Sequence, residues 1–274
     1  MKYIIRFLTI LLILVGLTLT GINLFGLTQN IRPENMNHQD YRFKDDLKMT
    51  YEQAIHSLKK QPQESQSDFN KRITDVIADS LAHIHWNEEE DNTVYNQLVP
   101  IWENYFLYFV GQFTDMPEFQ KYHFADYKRS LKRGIGICGD ASMIMSQVLN
   151  QQGTTNQIVS FPGHVVVAAQ NGLGSEFTYD ADFGVLVPHT IEEIQAAPWL
   201  IESFYQEKGF SEREIATLRR AYAQDYQRWD GVSHFITKKY YFERITYWLK
   251  WPLPALFLLI GLTIIRRQSK STTL

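Results

Sequence analysis

Residues 156–187, NQIVSFPGHVVVAAQNGLGSEFTYDADFGVLV, decide the fold, because here the chain turns from helical periodicity to short β-branched runs. Gln157 to Phe161, His164 to Ala169, Glu176 to Ala181 and Val185 to Val187 are divided by Gly- and Asn-containing turns, so the segment reads as an antiparallel meander. With Asn171-Gly172 at the tip of the middle hairpin, pairing centred on Gly172 sets His164 directly opposite Asp180. Direct cross-strand neighbours have Cβ atoms about 4.5–5.5 Å apart, close enough for a carboxylate to bind an imidazole. That is the geometry of a base held by an orienting acid. Asp182 shares the face by period-two alternation, and a hairpin centred on residue 173 would pair it instead. Spacing alone does not separate the two aspartates.

Upstream, Gly134-Ile135-Gly136-Ile137-Cys138-Gly139-Asp140-Ala141 is a flexible approach to a helix that continues through Met143, Ile144, Met145, Val148 and Leu149 and stops at Gly153. Cys138 falls at the N-terminus of that helix. Unsatisfied amides and the positive dipole end favour a thiolate there, and the Cys138 amide can face a developing oxyanion. The competing reading is a small hydrophobe packed at a helix start. Further helices are expected at Tyr51 to Lys60 behind Thr50, after Asp68, over Leu98 to Phe113, at Asp126 to Lys132, at Thr190 to Ala197, and after Ser211 in a capping box with Glu214, beyond which the domain runs through Lys238 to Tyr247 into a second apolar segment. Helices, then a nucleophile-bearing helix, then an antiparallel sheet make an α+β domain.

The chain has 274 residues, 45% hydrophobic and 21% charged, with a net charge of −3, which suits one good-sized domain with appendages. Phe7 to Leu27 runs for about 21 residues without a charge, enough to cross a bilayer core. Pro252 to Ile265 is about 14 residues, short of a span unless Ile245 to Trp251 extends it and Lys250 snorkels. Lys2 and Arg6 flank the first segment, and Arg266, Arg267 and Lys270 flank the second, so both termini are expected on the cytoplasmic side of a membrane. A cleaved signal peptide is the alternative for the first segment, but no Ala-x-Ala-like site follows it. No basic stripe for nucleic acid is present. The expected organisation is an anchor at 1–28, a linker and helical lead-in at 29–95, a catalytic core at 96–190, a helical extension at 191–244, and a second membrane segment with a cytoplasmic tail at 245–274. Cys138 is the only cysteine, so it has no intrachain disulfide partner.

The runs Gly136-Ile137-Cys138-Gly139-Asp140-Ala141, Gly163-His164-Val165-Val166-Val167 and Tyr179-Asp180-Ala181-Asp182-Phe183-Gly184 resemble, in order, the three core motifs of bacterial transglutaminase-like proteins. The likeness covers roughly Leu98 to Pro188, including Pro100-Ile101-Trp102-Glu103-Asn104-Tyr105 and Arg129-Ser130-Leu131-Lys132-Arg133-Gly134. It implies a papain-like thiol fold in which a nucleophile helix packs on an antiparallel sheet. It also implies Cys138 as nucleophile, His164 as base and Asp180 as acid, with no cofactor and a protein or peptide substrate. Trp102 or Asn104 is implied as a second oxyanion donor by the upstream likeness alone. Ala181 stands where proline is common in that family, and Val166 where an aromatic is often found.

Other constellations are weaker. His83-Ile84-His85 lacks a complete zinc shell, and Glu88-Glu89-Glu90-Asp91 lacks the alternating ligands and glycine of a calcium loop. The expected activity is acyl transfer through a thioester, most simply hydrolysis of a peptide or amide bond in the envelope. The alternative is a silent transglutaminase-like module that binds a partner or scaffolds an envelope or polysaccharide assembly.

Overall fold

The computed structural model describes residues 2–34, 41, 46–83 and 92–272, and they form two compact units. Among the described residues the secondary structure is α+β, with thirteen α-helices and one five-stranded antiparallel sheet.

The larger unit comprises the described residues of Glu34–Glu90 and His123–Tyr240. Its strands are β1 (Asn156–Phe161), β2 (His164–Gln170), β3 (Glu176–Asp180), β4 (Val185–Val187) and β5 (Gln227–Trp229), in the order β4-β3-β2-β1-β5. The first four are the expected meander. Three-residue β5, with no alternation to announce it, was not foreseen and adds to the free edge of β1 through Ile158, Val159 and Ser160. Both faces of β2 are covered, which is why its sequence is a nearly unbroken apolar run. On one face Val167, Ala169 and Tyr179 pack with Phe69, Ile73 and Ile77 of helix Gln66–Ala78 and with Ile144, Met145 and Val148 of helix Cys138–Gln151. On the other, Val166, Ala168, Val185 and Val187 meet Ile191, Ile194, Ile201, Ile215 and Leu218 from the helices between β4 and β5.

Capping chemistry sets most helix starts. Thr50, Thr190 and Ser211 close capping boxes with Gln53, Glu193 and Glu214, and Asp126 caps helix Tyr127–Arg133. Helix Gln66–Ala78, however, is capped by Ser65, whose hydroxyl accepts from the Asp68 amide, so Asp68 lies inside the first turn and not at the cap. The stretch expected to be helical from Leu98 becomes an α-helix only at Tyr105, where the Asn104 side chain accepts from the amides of Phe106 and Leu107.

The hairpin between β2 and β3 departs from the expected register. Its loop is five residues, because Asn171 Oδ1 accepts from the amides of both Leu173 and Ser175 while Gly172 and Gly174 take positive φ. The centre therefore shifts to residue 173, with Val167 opposite Tyr179 and Gln170 opposite Glu176. His164 and Asp180 are diagonal, not direct, neighbours on their shared face.

The smaller unit comprises Met1–Pro33, Asp91–Tyr122 and Tyr241–Leu274 in their described parts. Helix Lys2–Gly26 contains a 24-residue stretch, Tyr3–Gly26, long and apolar enough to cross a membrane. It packs on helix Pro252–Thr272, where a Cβ on Gly261 would lie 2.4 Å from Ile13. The C-terminal region passes the same test only as a pair, Thr237–Leu249 with Pro252–Ser269, bent by 44°. The break falls where Pro252 removes a backbone donor, so Ile245 to Trp251 does not extend the apolar run as one straight helix.

Gly136 is a close-approach position just before helix Cys138–Gln151: a Cβ there would stand 2.9 Å from both Asp140 Cβ and a Leu81 methyl. Gly136→Ala is expected to cost about 1–3 kcal/mol through overpacking. A lowered melting temperature of the purified full chain checks this; an unchanged one contradicts it.

Candidate active site

Cys138 is the first residue of helix Cys138–Gln151 and is half-buried. The turn that presents it is braced by Asp140, whose Oδ2 accepts from the Ile137 amide at 3.0 Å and lies 2.7 Å from His123 Nδ1. Burial opposes ionisation of Asp140, but the charge and hydrogen bond of His123, then the charge of Arg133, hold its carboxyl below the ordinary value. A fixed negative group thus locks the first turn, and the first-turn amides, including that of Cys138, have no intrahelical acceptor.

His164 opens β2 after a two-residue turn, Pro162-Gly163, in which Gly163 adopts φ +83°. Its ring is buried. Nε2 lies 2.7 Å from Asp180 Oδ2, which leaves Nδ1 as the nitrogen available to a neighbour. The Cys138 sulfur, a ring nitrogen of His164 and a carboxylate oxygen of Asp182 all lie within 4.8 Å of one another. Burial disfavours the imidazolium most, yet the Asp180 charge and hydrogen bond, with a further contribution from Cys138, raise the His164 pKa well above its ordinary value.

Asp180 is fully buried and its two oxygens are saturated. Oδ1 accepts from the amides of Asp182 and Phe183 at 3.1 and 3.3 Å; Oδ2 takes His164 and the Tyr205 hydroxyl, the latter at 2.5 Å. Tyr205 in turn contacts the Tyr222 hydroxyl at 3.1 Å, and Tyr222 and Phe183 pack edge-on against the His164 ring. Burial and then the Asp180 charge push both phenols well above their usual range, so they remain neutral donors. The diagonal placement explains why Asp180 reaches the imidazole despite the shifted register: diagonal pairs are about 7–8 Å apart at Cα and within reach of long side chains.

Asp182 has a different partner. Its Oδ1 lies 2.9 Å from His83 Nε2, while His83 Nδ1 is 3.1 Å from both oxygens of Asp46, and all three residues are buried. Burial works against the charged ring, but Asp182 and then Asp46 hold the His83 pKa at about 10. His83 therefore acts as a buried cation between two carboxylates. Of the other expectations nearby, Ile84, His85 and the run Glu88 to Asp91 lie outside the described residues. Trp102 and Asn104 belong to the smaller unit, where Asn104 also donates to Thr246 Oγ1.

These groups open onto a cleft of about 460 Å3 lined by Ile137, Cys138, His164, Asp182, Phe183 and residues of helix Glu212–Tyr222. The arrangement brings together a thiol, an imidazole held at one nitrogen by a buried carboxylate, and the free amides of a helix start. The sequence marks Cys138, His164, Asp180 and Asp182 as site residues but not Tyr205, Tyr222, Asp46 or His83, which come from remote segments with no motif to assign them to the site. No family model, curated protein or solved structure matches this chain.

The His83 cluster has a pH signature. With its pKa raised from 6.5 to about 10, His83 contributes stability that is complete below pH 6.5 and is lost as pH rises through 10. His164 titrates in the same direction, so the readout is a difference. His83→Gln is expected to lower stability by about 3–5 kcal/mol at neutral pH by leaving two buried carboxylates uncompensated, and to flatten the decline between pH 6.5 and 10. Melting curves of wild type and variant across that window check it; parallel pH profiles would contradict it.

Proposed function

We propose that this chain is a membrane-anchored thiol enzyme of the transglutaminase-like kind, in which Cys138, His164 and Asp180 carry out acyl transfer on peptide or amide substrates outside the cytoplasm. The observation that carries this reading is one cleft in which a half-buried thiol at a helix N-terminus adjoins an imidazole whose far nitrogen is held by a buried carboxylate. The α+β core, with its nucleophile helix against an antiparallel sheet, fits the papain-like fold that the three motifs imply.

The chemistry follows from the charges. His164 takes the Cys138 proton and remains an imidazolium because Asp180 stabilises that form. The thiolate attacks the substrate carbonyl, forming a C–S bond, and the Cys138 amide donates to the oxyanion. Collapse breaks the C–N bond as His164 protonates the departing amine, leaving a thioester. Water then attacks with neutral His164 as its base, the C–S bond breaks, and the thiolate–imidazolium pair is restored. An amine in place of water would give transamidation by the same steps.

The N-terminal helix, uncharged from Phe7 onward, supports a membrane anchor, and the bent C-terminal pair supports a second span. With basic residues at both ends, the termini lie in the cytoplasm and the catalytic unit on the far face of a bacterial inner membrane.

A chain with one cysteine gives a clean test. Iodoacetamide is expected to modify Cys138 rapidly near pH ~6, well below the ~8.5 at which an ordinary thiol ionises. His164→Ala should shift that reactivity to alkaline pH. Wild-type labelling confined to alkaline pH, unchanged in His164→Ala, would leave an inert thiol and favour the scaffold alternative.

A further inference from the structure

The smaller unit holds an apolar surface that the proposed chemistry does not use. Helix Tyr105–Phe113, YFLYFVGQF, has no charged residue. Its inner face is closely packed: Tyr105, Leu107 and Gly111 are buried, and a Cβ on Gly111 would lie 2.4 Å from the Phe119 carbonyl oxygen. Its outer face carries Phe109 and Phe113, 46% and 73% exposed, with rings stacked at 5.8 Å, and Met116 just beyond is 48% exposed. A contiguous aromatic face without charge marks a contact surface, whereas single exposed apolar residues need no explanation.

Hydrogen bonds fix the level of this helix along the anchor. The Lys250 carbonyl accepts from Asn23 Nδ2 at 2.5 Å and from the Tyr105 hydroxyl at 3.0 Å. Asn23 lies in the last turn of the N-terminal helix, and Gly26 approaches the Trp102 carbonyl so closely that a Cβ would stand 2.3 Å from its oxygen. The aromatic helix therefore begins where the apolar stretch of the anchor ends. If that stretch crosses the hydrocarbon core, this level is the head-group boundary, where aromatic side chains are favoured. Phe119 against Phe242, Tyr122 hydroxyl to Glu243 and Tyr247 hydroxyl to Glu103 join the same segment to helix Thr237–Leu249. That helix exposes Tyr241, Ile245 and Trp248 at helical spacing.

We propose that Tyr105–Phe113 is an interfacial helix whose Phe109, Phe113 and Met116 face is immersed in the lipid of the membrane that the N-terminal helix crosses. The proposal rests on the membrane part of the function above and is independent of the thiol chemistry. An uncharged, aromatic-rich helix held at the boundary inserts its apolar face between head groups and acyl chains, so the smaller unit grips the bilayer surface as well as spanning it.

The single native thiol makes the test direct. In a Cys138→Ser background, Phe113→Cys, Leu173→Cys and Val15→Cys are made separately in the full chain, labelled with an environment-sensitive fluorophore, and reconstituted into phosphatidylcholine–phosphatidylglycerol vesicles. Leu173, 86% exposed in the larger unit, is the reference for an apolar position in water. The label at 113 is expected to be quenched several-fold more by nitroxide lipid, and several-fold less by aqueous iodide, than the label at 173. Iodide quenching at 113 equal to that at 173 would overturn the proposal. Shielding at 113 from both quenchers would also overturn it, by assigning the face to a protein contact. A label at 15 that ignores nitroxide lipid would remove the anchor on which the proposal rests, and so identifies that failure separately.

Discussion

The Asp180 carboxylate, sealed from solvent, takes four hydrogen bonds: two from the amides that follow it, one from Tyr205 and one from His164. Burying a carboxylate is costly unless its lone pairs are filled, so these contacts constrain the end of β3, the ring of His164 and the helices that bring Tyr205 and Tyr222. The two amides curl the chain after Asp180 and aim Asp182 into the cleft. The imidazole is fixed at Nε2, and its other nitrogen is thereby committed to the thiol side. Preorganisation of this kind, more than the identity of any one group, separates a reactive cysteine from a packed one.

The site carries two carboxylate–imidazole systems with different work. His164 adjoins the thiol, and Asp180 holds the far nitrogen of its ring. Asp182, His83 and Asp46 form a second buried group, in which one cation balances two anions beside the cleft. His83 offsets the negative charge of Asp182, one of whose oxygens lies within 4.8 Å of the Cys138 sulfur. In the proposed chemistry the first group would set the direction of proton transfer, and the second would keep the local field tolerable for an anionic nucleophile.

Much of this was legible locally. The start of the Cys138 helix, the cap at Thr50, the capping box at Ser211, and four of five strands follow from residues that carry their own signal. Failures occurred where a local pattern had two solutions or none. Asn171-Gly172 suits a tight turn, but Gly174 permits a longer loop that Asn171 can brace, and the centre moved by one residue. Asp68 and Ser65 are both acceptable caps, and only packing chooses. Strand β5 is three residues with no alternation, recruited by the open edge of β1. Tyr205, Tyr222 and Asp46 reach the site through tertiary packing from segments far away in sequence. Asp180 remained the partner of His164 through the register error because parity keeps 164, 180 and 182 on one face.

The central claim is that Cys138 forms an acyl-enzyme under the control of His164. The most direct measurement is the reaction of the full chain with p-nitrophenyl acetate, following nitrophenol release and intact mass together. Wild type is expected to release a burst of one equivalent of nitrophenol with an acetyl adduct on Cys138 that then turns over, and His164→Ala, whose thiol is still present, to lose the burst. No burst in the wild type, or acetylation of Cys138 at the same rate in His164→Ala, would contradict it.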